Sequence, residues 1–485
     1  MGSTWKGSTK IILKDVNTGK EIITEDENIF KADTIADSLR TMGYYNFDPF
    51  YNSTSYSEFS KYMAQNAIWK SLVGGIMLFD SNIPETAINM PAGVKMIGNG
   101  SYGRYNNGTP NELGSWNDVE SSVSDGEITL VYDYTTQQAN GNIKCVSLTS
   151  REGGYAGMGN QSGTKHSSSA NLDILKAQKG KPGRISKNGN CIYKYFSSET
   201  WQHLKLYNSI INGEITVTRT PIYVDSIDLC ADPYNDGLSS SFDISIPTDS
   251  PYYTDYYSTS WCCEYDDNKI GLVYTKTTEL NHNDPFYLIE VDLDNRTSSN
   301  IKEFHSPIDG NIKLLYYSSS YSPAQVFYYV GNNRFFIVHR TSQSGSSGAF
   351  DLYYYDANTD SLQLVPNTKI NQTNSGAFKP MELSDNLFLL SVTSSSGLNY
   401  GIYDAINGTF VPYNGSIGDH WEYSKQRNAF IPSLMLTASG GWEFDGYRLF
   451  HNPFYLATIN NLSEPVYKTD SQTMKVIYTL TRQQS

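Results

Sequence analysis

Residues 126–157 read GEITLVYDYTTQQANGNIKCVSLTSREGGYAG. Two apolar-alternating runs, Ile128–Tyr134 and Ile143–Leu148, flank a polar turn of Gln, Asn and Gly. Alternation of period two gives each run one core-facing side. A Gly/Asn turn between two such runs predicts a β-hairpin. The loop Gly153 to Gly163 follows; glycine there accepts positive φ and lets another segment approach closely.

Further strands lie at both ends of the chain. Residues 8–14 and 20–24 alternate around Val16-Asn17-Thr18-Gly19, a second hairpin pattern. FYLATIN at 454–460 and MKVIYTLT at 474–481 read as two more strands. They end too near the terminus to build a sheet alone, so pairing with 126–148 is expected. Between the first hairpin and residue 126, Asp33 is placed to cap a helix over 33–42, with Ile35, Ala36 and Leu39 on one face. Phe59, Met63 and Ala67 predict a second helix over 57–72, ended by Gly74-Gly75. IMLFD at 76–80 reads as a buried strand. The turn-rich run from Asn82 to Asn117 reads as a long connection, either an oligomer contact or a loop over its own sheet. Together these predict a β-sandwich-like N-terminal module with two helices, residues 1–160, completed by C-terminal strands in 451–485.

Three of these segments carry a resemblance. KIILKDVNTGKEIITEDENIF (10–30), DYTTQQANGNIKCVSLTSREGGYAG (133–157) and YLATINNLSEPVYKTDSQTMKVIYTLT (455–481) resemble segments of tail and adsorption proteins of tailed phages that infect Firmicutes and other gut bacteria. The resemblance implies a virion structural protein of tail-fibre, collar or baseplate type. It implies a location in the tail or neck of the particle after synthesis in the bacterial host cytoplasm. It also implies other virion proteins and copies of the same chain as partners, because attachment follows the particle's rotational symmetry. A host cell-surface glycan or protein is the outward partner it suggests. It names neither receptor nor enzyme.

Composition sets wide bounds. A chain of 485 residues exceeds one ordinary core, so two or three domains are expected. The formal net charge of −14 argues against nucleic-acid binding, which needs a basic footprint, and against docking to anionic lipid. MGSTWKGSTK does not read as a signal peptide, and no apolar run approaches the roughly 18 residues of a membrane span; no membrane insertion is expected. Five cysteines without a CxxC pair give neither a disulfide framework nor a zinc site, so buried thiols are expected. Cys262 and Cys263 are adjacent, so on one strand their side chains face opposite ways.

Residues 161–190 are polar and basic and read as a linker. From 191 to 450 a unit recurs: a short β run, a polar turn, a Tyr-rich β run, an Asp/Asn turn. KIGLVY (269–274) precedes FYLIEVDLDN (286–295), RFFIVHR (334–340) precedes FDLYYYDANTD (350–360), and LFLLSVT (387–393) precedes NYGIYDAINGT (399–409). The spacings are about 65 and 53 residues, near kelch-type lengths. Each unit buries only one face, so neighbours must stack. The pattern predicts a mainly β protein whose 191–450 region is β-propeller-like; a β-sandwich with long loops is the alternative.

No motif for chemistry emerges. Asp266/Asp267 and Asp292/Asp294 sit at predicted turns, where Asp is favoured for backbone reasons. Asp356-x-Asn358-x-Asp360 has the opening spacing of a calcium loop without its glycine or distal glutamate, so a turn is preferred. The seven histidines form no ligand pair. Hence no catalytic residue, metal or cofactor is assigned. What remains is recognition chemistry. Tyr252, Tyr253, Tyr256, Tyr257 and Trp261 cluster in one Pro/Ser-containing stretch, and Trp421 and Trp442 stand beside carboxylates in predicted loops. Sugar rings stack on aromatics while Asp, Asn and Glu bind their hydroxyls. These seven residues are the receptor-binding candidates. Strand tyrosines such as Tyr353–Tyr355 are expected to face the core instead. A glycan depolymerase and a purely structural spacer are the competing functions; the first requires two carboxylates about 5–10 Å apart in one cleft.

Overall fold

The computed structural model describes residues 4–29, 73–106, 113–124, 126–149, 154, 191–194, 210–211, 213–221, 240–247, 259–277, 279–310, 312–313, 326–340, 349–366, 370–371, 379–394, 397–413, 421–425, 428–432, 434–436, 442–444, 450–452 and 454–483. These are mainly β, arranged in antiparallel sheets. The expected helices at 33–42 and 57–72, and the linker at 161–190, lie outside the described residues. Close packing divides the chain into two units, residues 1–170 with 449–485, and residues 171–448.

The first unit is a two-layer sandwich. Its strands are β1 (Thr4–Asp15), β2 (Glu21–Ile29), β3 (Gly75–Phe79), β4 (Met96–Gly100), β5 (Ser115–Trp116), β6 (Ser122–Ser124), β7 (Glu127–Tyr134) and β8 (Gly141–Thr149), with a penultimate strand Asn460–Lys468 and a last strand Gln472–Gln483. One sheet runs β2-β1-last-β7-β5, with β6 also on β7; the other runs penultimate-β8-β3-β4. The last strand pairs with β1 from Thr4↔Gln483 to Asp15↔Gln472 and with β7 from Glu127↔Thr481 to Tyr134↔Met474. Both ends of the chain therefore lie in one ladder. Leu13, Leu130, Tyr132, Val476 and Tyr478 from the first sheet meet Ile76, Leu78, Ile143, Val146 and Leu148 from the second in one core. Fully burying one such side chain contributes roughly 1.5–3 kcal/mol.

The hairpin expected in 126–149 does not form. β7 and β8 belong to different sheets and face each other across the core. Alternation marks which side of a strand is buried, but not whether its partner lies beside it or opposite it. The connecting residues 135–140 outrun a tight two-residue hairpin loop and bridge layers that pack about 10 Å apart. Thr135 N donates to Gln138 Oε1 (2.8 Å), and Gln138 N to Thr135 O (3.2 Å). The penultimate and last strands are joined the same way: Thr469 N donates to Gln472 Oε1 (3.0 Å), and Gln472 N to Thr469 O (3.2 Å). Two Thr-x-x-Gln arches thus cross between the same two sheets.

The connection after β3 packs on its own unit. Met90 N donates to Phe454 O and Leu456 N to Ile88 O, both at 2.8 Å. It also contains β4, which the sequence reading took as loop. β3 itself is buried along its whole length.

The second unit is a succession of small antiparallel sheets. The first contains Glu214–Pro221 and Ser240–Ser245; the second Thr259–Asp266, Lys269–Thr275 and Pro285–Asp292; the third Phe327–Tyr329, Arg334–Arg340, Ala349–Asp356 and Ser361–Leu364; the fourth Lys379–Ser384, Leu387–Ser394, Gly397–Asp404 and Thr409–Tyr413. A hairpin, Trp421–Ser424 with Ala429–Pro432, follows. Separate apolar layers join first to second sheet, second to third, and third to fourth. Cys262 enters the first of these layers and Cys263 the second, so the adjacent thiols do face opposite ways. Tyr354 and Tyr355 divide likewise between the two layers flanking the third sheet, as core-facing tyrosines. Among the described residues no barrel closes.

Candidate functional site: a charged hub at the turns of successive sheets

The same turn recurs in three sheets. An asparagine immediately precedes the second strand: Asn268, Asn333 and Asn386. Its carbonyl accepts the amide that follows the third strand: Leu293 N to Asn268 O (2.9 Å), Ala357 N to Asn333 O (3.0 Å) and Ala405 N to Asn386 O (2.9 Å). That third strand ends on an aspartate whose Oδ1 accepts a nearby turn amide. The pairs are Asn295 N to Asp292 (2.8 Å), Asn358 N to Asp356 (2.9 Å) and Asn407 N to Asp404 (3.1 Å). Asn333 and Asn386 hold φ of +53° and +63°, a conformation asparagine tolerates better than most residues. The Asp356-x-Asn358-x-Asp360 run is thereby a turn, with Tyr355 donating its hydroxyl to Asp360 Oδ1 (3.0 Å). Among the described residues no group of His, Cys, Asp and Glu is arranged to hold a metal.

Charged side chains converge where these turns meet. The Arg334 guanidinium reaches Glu382 Oε1 (2.8 Å), Asp385 Oδ1 (2.9 Å), Asn386 Oδ1 (3.0 Å) and its own turn's Gly331 O (3.2 Å). Lys425 Nζ takes the other Glu382 oxygen at 2.6 Å, and Lys425 N donates to Asp267 Oδ1 at 2.9 Å. The second, third and fourth sheets and the following hairpin each contribute a residue. The Arg334 and Glu382 side chains are each only 5% exposed, whereas Asp385 is 81% exposed, so the hub is sealed on one side and open on the other. Burial alone would lower the Arg334 pKa, but the charges of Glu382 and Asp385 outweigh it and raise it. Tyr354 donates its hydroxyl to Asn386 Oδ1 (2.9 Å) and so ties the third sheet to the fourth.

A second polar cluster lies between the second and third sheets. Glu290 Oε1 accepts hydrogen bonds from Tyr329 (2.7 Å) and Tyr265 (3.1 Å), and Lys302 pairs with Oε2. Burial pushes the Glu290 carboxyl up, but Lys302 and the two phenols more than reverse this and leave its pKa lowered. Burial foremost, then Glu290, raises both tyrosines. The partly buried Glu290 carboxylate is thus favoured in its ionised form by Lys302 and oriented by the two phenols. That is the chemistry of a structural tie rather than of a proton-transfer group, whose pKa must sit near the working pH.

The seven sequence candidates fare differently. Tyr252, Tyr253, Tyr256 and Tyr257 lie outside the described residues. Trp261 stands on a strand opposite Val273. Trp421 and Trp442, expected in loops, also lie on strands, opposite Pro432 and Leu436. Trp421-Glu422-Tyr423 and Trp442-Glu443-Phe444 alternate with the strand period, and that pattern prevailed over the polar flanks. The three tryptophans belong to three separate sheets. The hub residues went unassigned in the sequence, yet a signal was there: an asparagine before each apolar second strand, one position ahead of the residue that pairs with the aspartate ending each third strand.

No family model matches the chain, and no curated protein matches it. Among solved structures, an uncharacterized protein of Listeria monocytogenes is 12% identical over 73% of this chain and 76% of its own, with a TM-score of 0.21. A point mutant of the Synechocystis apocarotenoid oxygenase is 10% identical over 52% of this chain and 51% of its own, also at 0.21. Likeness at that level carries no inference about fold or activity.

Proposed function

We propose that the protein is a structural component of the tail, fibre or collar apparatus of a tailed phage, and that it binds a host surface receptor. One observation carries the reading. The three segments that resemble phage tail and adsorption proteins lie about a hundred residues or more apart, yet they supply β2, β8, the last two strands and parts of β1 and β7 of a single sandwich. A likeness scattered along the sequence is thus one contiguous module, the part that docks on the particle. We assign receptor binding to the intervening unit. We read that unit as propeller-like. Its sheets stack in chain order, and the Lys425–Asp267 hydrogen bond brings the hairpin after the fourth sheet back onto the second. Turn-borne Asp, Asn and Lys side chains at the open side of the hub suit a hydroxyl-rich glycan.

The test is binding of the purified full-length chain to intact host cells and to extracted surface polysaccharide, with product analysis of the polymer afterwards. Saturable binding with unchanged polymer supports the reading. Cleaved polymer overturns it in favour of a depolymerase. Absence of binding by folded protein leaves a structural spacer.

A further inference from the structure

The sandwich buries a lysine with no carboxylate at ion-pair distance among the described residues. Lys468, at the end of the penultimate strand, is 1% exposed. Its Nζ points between the two arches and, among the described residues, hydrogen-bonds to uncharged oxygens: Asn140 Oδ1 at 2.6 Å, Thr136 O at 3.4 Å and Thr469 O at 3.5 Å. An ammonium without a counter-ion in such a place is costly. Burial pulls its pKa down to about 8, with the charge of nearby Asp470 opposing the shift. A fraction of the amine is therefore neutral, and nucleophilic, near physiological pH.

The carboxamide beside it is fixed by hydrogen bonds at both ends. Asn140 Nδ2 donates to Thr136 O at 2.9 Å, the same carbonyl that Lys468 Nζ contacts. Nucleophile and leaving nitrogen thus share one acceptor. Asn140 is followed by Gly141, which pairs with Lys468 across the ladder and adds no side chain to screen the approach. Holding two groups within contact distance converts a slow bimolecular step into an intramolecular one.

We propose that Lys468 and Asn140 form an intramolecular isopeptide bond that ties the two arches together. Neutral Nζ attacks Asn140 Cγ. The new Nζ–Cγ amide forms, the Cγ–Nδ2 bond breaks, and one proton passes from Nζ to the departing nitrogen, which leaves as ammonia. No oxidant or second reactant is needed. The product joins residue 140 to residue 468 covalently, at the ends of two strands that already pair in one sheet, β8 and the penultimate strand. A cross-link there would resist pulling forces that peel the chain's end from its sheet.

The test is intact mass and a tryptic map of the purified full-length chain. The expected result is a chain lighter by one ammonia, with a branched peptide joining Asn140 to Lys468. Lys468→Arg and Asn140→Ala should each restore the full mass. Full mass with Lys468 in an ordinary linear peptide overturns the proposal. So does loss of ammonia with a linear Lys468 peptide, which is ring closure of Asn140 onto Gly141.

Discussion

The two units are built from similar strands and bury them in opposite ways. The sandwich draws its central ladder from both ends of the chain: Thr9 pairs with Tyr478, and Tyr478 with Leu130. Its core is one continuous layer between two sheets. The other unit pairs most of its strands with strands close in sequence, and its core is a series of separate layers. In the first, stability is concentrated and non-local; in the second it is distributed and local, with charged turns stitching neighbours together. Long-range ladders must overcome loop-closure entropy before they gain anything, so the sandwich is expected to form more slowly than the sheet stack.

The sharpest way to break this contrast is to charge the sandwich core. Val476→Asp puts an unpaired carboxylate at a fully buried position in the central strand. A loss of about 5 kcal/mol or more is expected for the first unit. Calorimetry should show one transition abolished while a second, from the sheet stack, survives. Loss of both together would mean that the units do not unfold independently.

Within the stack, Glu382→Ala strands the buried Arg334 guanidinium. It should cost roughly 3–5 kcal/mol, because breaking a buried pair leaves a charge uncompensated. Arg334→Met combined with Glu382→Leu should recover much of that loss. Denaturant titration reads both. A negligible effect of the single change would show that Asp385 alone suffices for Arg334.

A smaller effect, about 1–3 kcal/mol, is expected for Asn386→Ala, which removes the acceptor of Tyr354 and Arg334 and places alanine at positive φ. Asn386→Gly should cost less, since it relieves the backbone while still losing the hydrogen bonds. Equal losses would assign the whole effect to the side chain.

The smallest effect is a pH dependence. The Glu290 pKa is lowered in the folded state, so its contribution is present in full above the unfolded value near 4.5 and is lost as pH falls through the folded one. Glu290→Gln should flatten the acid limb of stability below about pH 4.5, and an unchanged limb would contradict the tie to Lys302.

These contrasts also explain what was legible in the sequence. The β class followed from alternation at Ile128–Tyr134 and in the repeated Tyr-rich runs. The stack's repeating unit was visible because its partners are adjacent in sequence. Strand partners in the sandwich were harder: period-two alternation in β7 and β8 is the same whether they pair side by side or face to face, and the hairpin reading failed on that ambiguity. β4 was missed because MIGNG holds two glycines and an asparagine, which read as turn. Gly100 is there because a side chain would strike the Tyr132 ring, a reason that exists only in three dimensions. The hub was hidden for a similar cause. Arg334, Glu382, Lys425 and Asp267 are unremarkable surface residue types until four separated turns converge. The tryptophans at 421 and 442 were placed in loops because their neighbours are polar, although polar neighbours are what a half-exposed strand carries.

The most direct measurement tests the proposed virion role. On that proposal the chain is encoded by a tailed phage, whose particles would be purified, their proteins identified by mass spectrometry, and the chain located by immunogold labelling. The account predicts a fixed copy number that matches the particle's rotational symmetry, with label on the tail, fibre or neck. Its absence from particles, or label on the capsid alone, would contradict it.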